Sequence, residues 1–520
     1  MSDLKNGLCK ICSKETKSKC SNCNQVFYCS GEHQKSDWKV HKRMCYPFKI
    51  EQSEKLGRHL VTTRKIKPSE IILKESPITR GPSQVTGPVC LGCLDGIDEQ
   101  DYVTCQQCGW PLCSKECESS LEHREECKLT QNRQQKKAVI HEFTTPHPMY
   151  QCIATLRALL LKKSDKEKFE KLIKLESHDD IRRGSPQWKS DLESIGKFIP
   201  RFFQTQEYTE DEIMKVAGIL QINGHEVPTS DPPHVAVFDV ASMLEHSCTP
   251  NLAKSFTKNG DVMLWAPREI PKNANLSICY SDALWGTADR QKHLMHTKLF
   301  KCECNRCQDV TEFQTYYSAM KCKDKNCSGF VLPIDLKNWD ENWKCTTCQS
   351  DVDKFFVRDI LEKAGADLAA MEKTVANCKK YIEHYQKWLP RKHYYISEVK
   401  IQLVQKLGAD PKDLMVLPEK DLDIKLEYAK EMIELYEQLA PCETRILGIL
   451  CFEVHSAIAE KTRRISLETN MNCIVLLEES LLFVEKSIQY LKHESNVFAE
   501  GLVCKQAIIN RDALKMVMSF

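Results

Sequence analysis

Short apolar runs broken by polar turns mark the first half of the chain, and apolar residues three and four apart mark the second. Leu60-Val61 and Ile71-Ile72-Leu73 predict strands over 50–89, and Val235-Ala236-Val237-Phe238, Val262-Met263-Leu264-Trp265 and Leu276-Ser277-Ile278-Cys279-Tyr280 predict more over 223–285. Between them, Leu156, Leu159, Leu160 and Leu161, then Ile213, Val216, Ile219 and Leu220, give a helical period over 129–222. From 354 to 520 the period stays helical, as in Leu426, Ala429, Ile433, Tyr436 and Leu447, Leu450, Val454, Ile458. Antiparallel pairs of the tetratricopeptide kind fit this stretch, although no clean 34-residue consensus is present. An irregular helical bundle is the other reading.

Cysteine-rich blocks at 1–49, 90–128 and 286–353 interrupt this pattern. The 520 residues hold 28 cysteines, with 42% hydrophobic residues and a net charge of +2. That charge gives no global nucleic-acid signature. The most apolar stretch, Ile474 to Leu491, is broken by Glu478, Glu479, Glu485 and Lys486, so no membrane span is expected. Met1 to Asn6 shows no apolar signal region, and the expectation is a protein of the cytoplasm and nucleus with reduced thiols. Dense cysteine then reads as metal ligation.

The first block runs Cys9-x2-Cys12, Cys20-x2-Cys23, Cys29-x3-His33 and His41-x3-Cys45. Zinc takes four nitrogen or sulfur ligands in a tetrahedron, and a tight turn can supply two. The interleaved order suggests one ion on Cys9, Cys12, Cys29 and His33, and a second on Cys20, Cys23, His41 and Cys45. The second block repeats this grammar with Cys90, Cys93, Cys105, Cys108, Cys113, Cys117, His123 and Cys127. Cys302, Cys304 and Cys307 form a third cluster lacking a local fourth ligand, for which Cys248 is the candidate. Cys322 and Cys327 pair with Cys345 and Cys348 in a ribbon-like arrangement. These ligands suffice for about six ions, structural in kind because no site keeps an open position. Cys152, Cys279, Cys378, Cys442, Cys451, Cys473 and Cys504 sit singly in apolar contexts and read as core.

Both arrays resemble MYND zinc fingers, the first including Phe27-Tyr28-Cys29 and a Gln34…Trp38-x2-His41-x3-Cys45 tail. Leu56-Gly57-Arg58-His59-Leu60 resembles the N-terminal cofactor loop of a SET domain. Glu245-His246-Ser247-Cys248-Thr249-Pro250-Asn251 resembles that family's Asn-His-Ser-Cys-x-Pro-Asn, and Tyr280-Ser281-Asp282 its catalytic Tyr-x-Asp. Phe300-Lys301-Cys302-Glu303-Cys304-Asn305-Arg306-Cys307 resembles the post-SET motif. The order of these parts resembles the SMYD (SET and MYND domain) protein-lysine methyltransferases, and the leading extra finger resembles their arthropod SmydA branch.

The resemblance implies an α+β multidomain protein. It would comprise a finger at 1–49, the first SET part at 50–89, an inserted finger at 90–128 and a helical insert at 129–222. The SET core at 223–285, a post-SET and zinc-ribbon-like region at 286–353 and a helical TPR-like domain at 354–520 would follow. It implies S-adenosylmethionine as cofactor, held by Gly57, Arg58, His59, Glu245, His246, Tyr280 and Phe300, with Tyr280 catalytic at a lysine channel on histone or non-histone protein. Protein partners would dock on the fingers and C-terminal helices of a monomer. A non-catalytic scaffold, acting in transcriptional repression, is the alternative.

Three positions depart from the family pattern. His59 stands where a second loop glycine is usual, and a side chain there is expected to crowd the cofactor. Glu245 replaces an asparagine but can still accept from a cationic amine. Lys298 falls where a second channel tyrosine aligns, and its cation beside a sulfonium is unfavourable unless desolvated and neutral. The basic residues of the first finger, among them Lys10, Lys14, Lys35 and Lys39, read as a solvated face rather than a DNA contact.

Structural zinc contributes roughly 10–16 kcal/mol to the folding of small fingers, which are too short to bury an adequate core alone. A strong chelator should therefore unfold 1–49 and 90–128. Limited proteolysis checks this, and unchanged resistance after zinc removal contradicts it.

Overall fold

The computed structural model describes residues 7–20, 26–42, 45–133, 137–335, 341–469 and 473–518. In the first finger, the antiparallel strands Gly7–Leu8 and Glu15–Thr16 precede the helix Gly31–His41. Ser30 caps that helix by accepting the His33 N–H at 3.3 Å. The second finger starts its last helix, Leu121–Gln131, in the same way, with Ser120 accepting the His123 N–H at 3.2 Å. In both fingers the cap fixes the backbone of a histidine one turn into the helix. The boundary expected at 128 falls inside this second helix, which runs on to Gln131.

A hairpin follows the first finger, Phe48–Ser53 against Gly57–Thr62. Its three-residue loop closes because Gly57 adopts φ +62°, a left-handed conformation that glycine takes without strain. Ile71–Glu75, Val262–Trp265 and Ala253–Phe256 form one sheet, with Val262–Trp265 central. Thr79–Gly81, His234–Val237 and His225–Val227 form another, with His234–Val237 central. Glu245–His246 runs parallel to Ser277–Ile278. The Leu276 N–H donates to Leu60 O at 2.8 Å, joining the hairpin to this parallel pair. Leu60, Leu73, Phe238, Leu264 and Ile278 share the core beneath. The run 276–280, expected as a strand, is strand only at Ser277–Ile278.

The helices Ile153–Ser164 and Glu210–Asn223 bury most of the apolar stripes read from the sequence, Leu160 and Leu161 only in part. Their core extends into the second finger, where Trp110 and Leu112 are buried with Leu156, Ile199 and Ile213. That finger therefore has both metal ligands and a helical floor. Arg157 of this floor donates through Nε to Glu126 Oε2 at 3.2 Å and through Nη2 to Leu91 O at 2.5 Å.

Past the SET strands, Met320–Lys321, Phe330–Pro333, Trp343–Cys345 and Asp351–Val352 make a four-stranded antiparallel ribbon. Seven longer helices follow among the described residues: Lys354–Ala370, Val375–Tyr385, Tyr394–Lys406, Glu419–Leu439, Thr444–Thr469, Ile474–Leu491 and Ala499–Met518. From Glu419 onward each long helix packs on the next. Tyr436, Leu447, Leu450 and Val454 fill the seam between two of them. Among the described residues no helix is long and apolar enough to cross a membrane.

Burial pushes the Glu126 carboxyl up, but Arg157 and His123 outweigh it and hold the group below the usual carboxylate range. Glu126 is 0% exposed, so Arg157→Met leaves a buried charge without its counter-ion. A loss of about 3–5 kcal/mol is expected at neutral pH. Urea unfolding measures it, and a loss under about 1 kcal/mol would contradict the assignment.

Candidate active site and metal centres

Among the described residues, at least five groups of four ligand atoms lie within 4.8 Å of one another. They are Cys9, Cys12, Cys29, His33; Cys90, Cys93, Cys113, Cys117; Cys105, Cys108, His123, Cys127; Cys248, Cys302, Cys304, Cys307; and Cys322, Cys327, Cys345, Cys348. Of the remaining predicted set, Cys20 and Cys45 are 3.7 Å apart and His41 is fully buried beside Tyr28. Cys23 lies outside the described residues. The second finger interleaves its two groups, so the chain passes from one to the other and back.

The spacing of the sulfurs tests whether zinc fits. Zn–S bonds of about 2.3 Å set the edge of a tetrahedron at about 3.8 Å, whereas a disulfide needs about 2.05 Å. The sulfurs stand 3.5 Å apart in Cys248–Cys307, 3.9 Å in Cys248–Cys302, 3.7 Å in Cys327–Cys345 and 3.8 Å in Cys105–Cys127. These are edges of zinc tetrahedra, and the donor sets fit the ion. His123 turns Nε2 to Cys108 Sγ at 3.3 Å and Nδ1 toward Glu126 at 3.9 Å, the arrangement in which a carboxylate orients a ligating imidazole. Of the seven other cysteines, Cys152, Cys378, Cys442, Cys451 and Cys504 are buried, while Cys279 and Cys473 are only partly so.

The cluster holding Cys248 abuts the residues expected around the cofactor. The Tyr280 N–H donates to His246 Nδ1 at 3.0 Å. Nδ1 is therefore the bare nitrogen, the proton sits on Nε2, and Nε2 points at Cys248 Sγ 3.3 Å away. One imidazole thus ties the Tyr280 backbone to a metal thiolate. The Tyr280 hydroxyl donates to Leu244 O. Burial pushes that hydroxyl's pKa up, so it stays a donor at neutral pH. The Phe300 and Tyr280 rings flank His246 at 5.7 and 5.2 Å.

Glu245 accepts from Asn275 Nδ2 at 2.9 Å, and Asn251 Nδ2 donates to Asn275 O at 2.7 Å. His59 is 6% exposed, and its ring turns back on its own strand, with Nδ1 3.1 Å from Gly57 O. Arg58 reaches Lys174 O at 2.7 Å. Lys55, in the hairpin loop, pairs with Glu303 of the post-SET motif at 3.0 Å. The two contacts hold the hairpin end between the helical insert and the post-SET motif.

Lys298 lies 5.8 Å from the centre of the Tyr280 ring, its Nζ donating to Ile222 O at 2.8 Å and Gln221 O at 3.4 Å. Burial, with Lys254 nearby, lowers its pKa to about 8. The desolvation on which tolerance of this lysine depends is therefore present. Sequence reasoning missed Asn275, and it missed the buried Glu312, which accepts from Arg306 Nε at 2.7 Å and Arg290 Nη2 at 3.2 Å. Arg290 Nη2 also approaches Cys307 Sγ at 3.9 Å. No local pattern marks Glu312, whose partners are fixed only once the cysteine cluster has closed.

The MYND finger family model matches residues 9–45, and the SET domain model matches 57–281. The Drosophila melanogaster SET domain-containing protein SmydA-8, isoform A, is 28% identical over 308 residues, which is 58% of this chain and 64% of that protein. The Arabidopsis thaliana histone-lysine N-methyltransferase ASHR1 is 24% identical over 419 residues, 76% of this chain and 83% of that protein. Human histone-lysine N-methyltransferase SMYD3 is 25% identical over 282 residues, 50% of this chain and 62% of that protein. The chain thus spans a little under two thirds of SmydA-8 and SMYD3.

A MYND finger ahead of a SET domain, with a thiolate cluster under its tyrosine, defines a SET- and MYND-domain protein. The chain carries one of each. Its relatives include SMYD proteins, and two isoforms of SmydA-8 are among them.

The residues present fit S-adenosylmethionine. Phe300 offers an aromatic face, Glu245 an anionic acceptor for the amino end, and Lys298 an amine that burial disposes to neutrality. Lys298 titrates near 8, so below that pH its cation opposes a bound sulfonium and above it the opposition is lifted. His225 and His293 sense the same charge, and burial holds both imidazoles below their ordinary range. Calorimetric affinity for S-adenosylmethionine should rise up to about tenfold from pH 7 to 9. Lys298→Met should bind as tightly at pH 7 as the unaltered protein does at pH 9. A parallel pH profile in the variant contradicts this.

Proposed function

We propose that the chain is an S-adenosylmethionine-dependent protein-lysine N-methyltransferase. The observation that carries this reading is the fixed position of Tyr280, whose main chain is clamped by His246 and whose hydroxyl is held at Leu244 O. S-adenosylmethionine supplies a methyl group on a positively charged sulfur. The chain's own part is positional and electrostatic. Tyr280 caps the acceptor channel with an uncharged hydroxyl dipole, while Glu245 takes the cofactor's cationic amine. A preorganised dipole of this kind acts in a water-poor site, where it is worth most.

The reading extends to about six zinc ions, counting one on Cys20, Cys23, His41 and Cys45. It also extends to a monomer of the cytoplasm and nucleus acting on histone or other protein lysines as a chromatin regulator. A second reading is a scaffold of weak or absent activity that recruits protein partners in transcriptional repression. It is favoured by the apolar surface of the first finger, where Leu8, Ile11, Trp38 and Val40 are all exposed. Such a face suits short extended peptides.

Labelled methyl from S-adenosylmethionine should be transferred to lysines on a protein array. Tyr280→Phe should reduce transfer by about 100-fold or more while leaving cofactor affinity within about twofold. No labelling together with no cofactor binding by calorimetry overturns the enzyme reading. A partner pull-down that survives Tyr280→Phe but is lost in Cys20→Ala or Cys105→Ala establishes the scaffold instead.

A further inference from the structure

Lys298 ends the helix Thr287–Lys298, where Leu299 turns the chain with φ +61°. Its Nζ reaches the end of the helix Glu210–Asn223, donating to Ile222 O at 2.8 Å and Gln221 O at 3.4 Å. Carbonyls in the last turn of a helix have no N–H of that helix to accept from, so a lysine that caps them is an ordinary structural device. Two features go beyond capping. The amine stands over the Tyr280 ring, 5.8 Å from its centre, beside the hydroxyl that caps the acceptor channel. A cap also favours the ammonium, because the C-terminal end of a helix carries partial negative charge. Here burial first, and Lys254 next, outweigh that effect and lower the pKa to about 8. About a tenth of the amine is then neutral at pH 7. A neutral amine has two N–H groups and one lone pair. The two carbonyls match the two N–H groups, and the lone pair is left over.

The geometry points to Lys298 as a methyl acceptor within its own chain, alkylated on Nζ at the site that Tyr280 caps. This rests on the methyltransferase reading and gives that reading a first substrate. The Nζ lone pair forms the new N–C bond as the S–C bond of S-adenosylmethionine breaks. The sulfonium leaves as the neutral thioether S-adenosylhomocysteine, and the methylated ammonium gives a proton to water. The neutral product keeps one N–H, enough for one of the two carbonyls. A second methyl would remove the last donor, so the expected product is monomethyl-lysine.

Mass spectrometry of the full chain tests this, after incubation with S-adenosylmethionine carrying a labelled methyl group and digestion at acidic residues. One labelled methyl should appear on Lys298, at a first-order rate that does not change with chain concentration. Tyr280→Phe and Lys298→Arg should each lose the label there, and mixing the two variants should not restore it. A second measurement needs no turnover. S-adenosylhomocysteine at roughly ten times its dissociation constant should slow trace acetylation of Lys298 by acetic anhydride about tenfold, and leave the exposed Lys166 unaffected. Cofactor binding by calorimetry and labelling of other proteins, with Lys298 unmodified, overturns the inference and leaves the enzyme reading standing. No cofactor binding overturns both. Label on Lys298 in the mixed variants, or equal acetylation with and without S-adenosylhomocysteine, also overturns the inference.

Discussion

The site depends on one shared imidazole. His246 has two nitrogens, one taken by the Tyr280 N–H and the other turned to the Cys248 sulfur. A hydrogen bond to a metal thiolate fixes both the ring and its tautomer. The position of Tyr280 is therefore set by the cysteine cluster, although its own hydroxyl reaches only a nearby carbonyl. Without an ion to draw the four thiols together, the ring would have one fixed partner instead of two, and Tyr280 would lose its clamp.

That cluster is itself held electrically. Four thiolates around a doubly charged ion leave two excess negative charges in a buried place, a costly arrangement unless countered. Arg290 and Arg306 bring positive charge there, part of which the Glu312 carboxylate between them takes up, so the trio offsets only part of the excess. Glu312, Phe313 and Gln314 all have positive φ, a conformation that ordinary residues adopt at a cost of order 1–3 kcal/mol each. The contacts that oppose this cost are Asp309 accepting the Phe313 N–H at 2.7 Å, Glu312 in its ion pairs, and Gln438 donating to Phe313 O at 2.7 Å. Through Gln438 the turn also joins the cluster to the C-terminal helices.

Much of this was legible in the sequence because metal ligation is short-range chemistry. Pairs such as Cys90-x2-Cys93 advertise a site on their own, and motif order placed Cys248 with Cys302, Cys304 and Cys307. The helical stripes were legible for the same reason, since period alone sets the buried face. Asn275 and Glu312 were not, because each matters through a residue brought beside it by the fold. His59 was read as an obstruction, and its ring instead lies along its own strand. That orientation depends on the hairpin and cannot be inferred from residue type.

The interleaving of ligands in the fingers has a kinetic side. In the second finger, Cys105 and Cys108 lie within the loop that Cys93 and Cys113 close, and Cys113 and Cys117 lie within the loop that Cys108 and His123 close. Capture of a first ion fixes the ends of a segment that already contains half of the other site. The entropy of closing the second loop is thereby partly spent in advance. Filling should then be cooperative, with half-loaded fingers scarce and metal taken up or surrendered two ions at a time. This makes the second finger respond to metal supply more like a switch than a graded sponge.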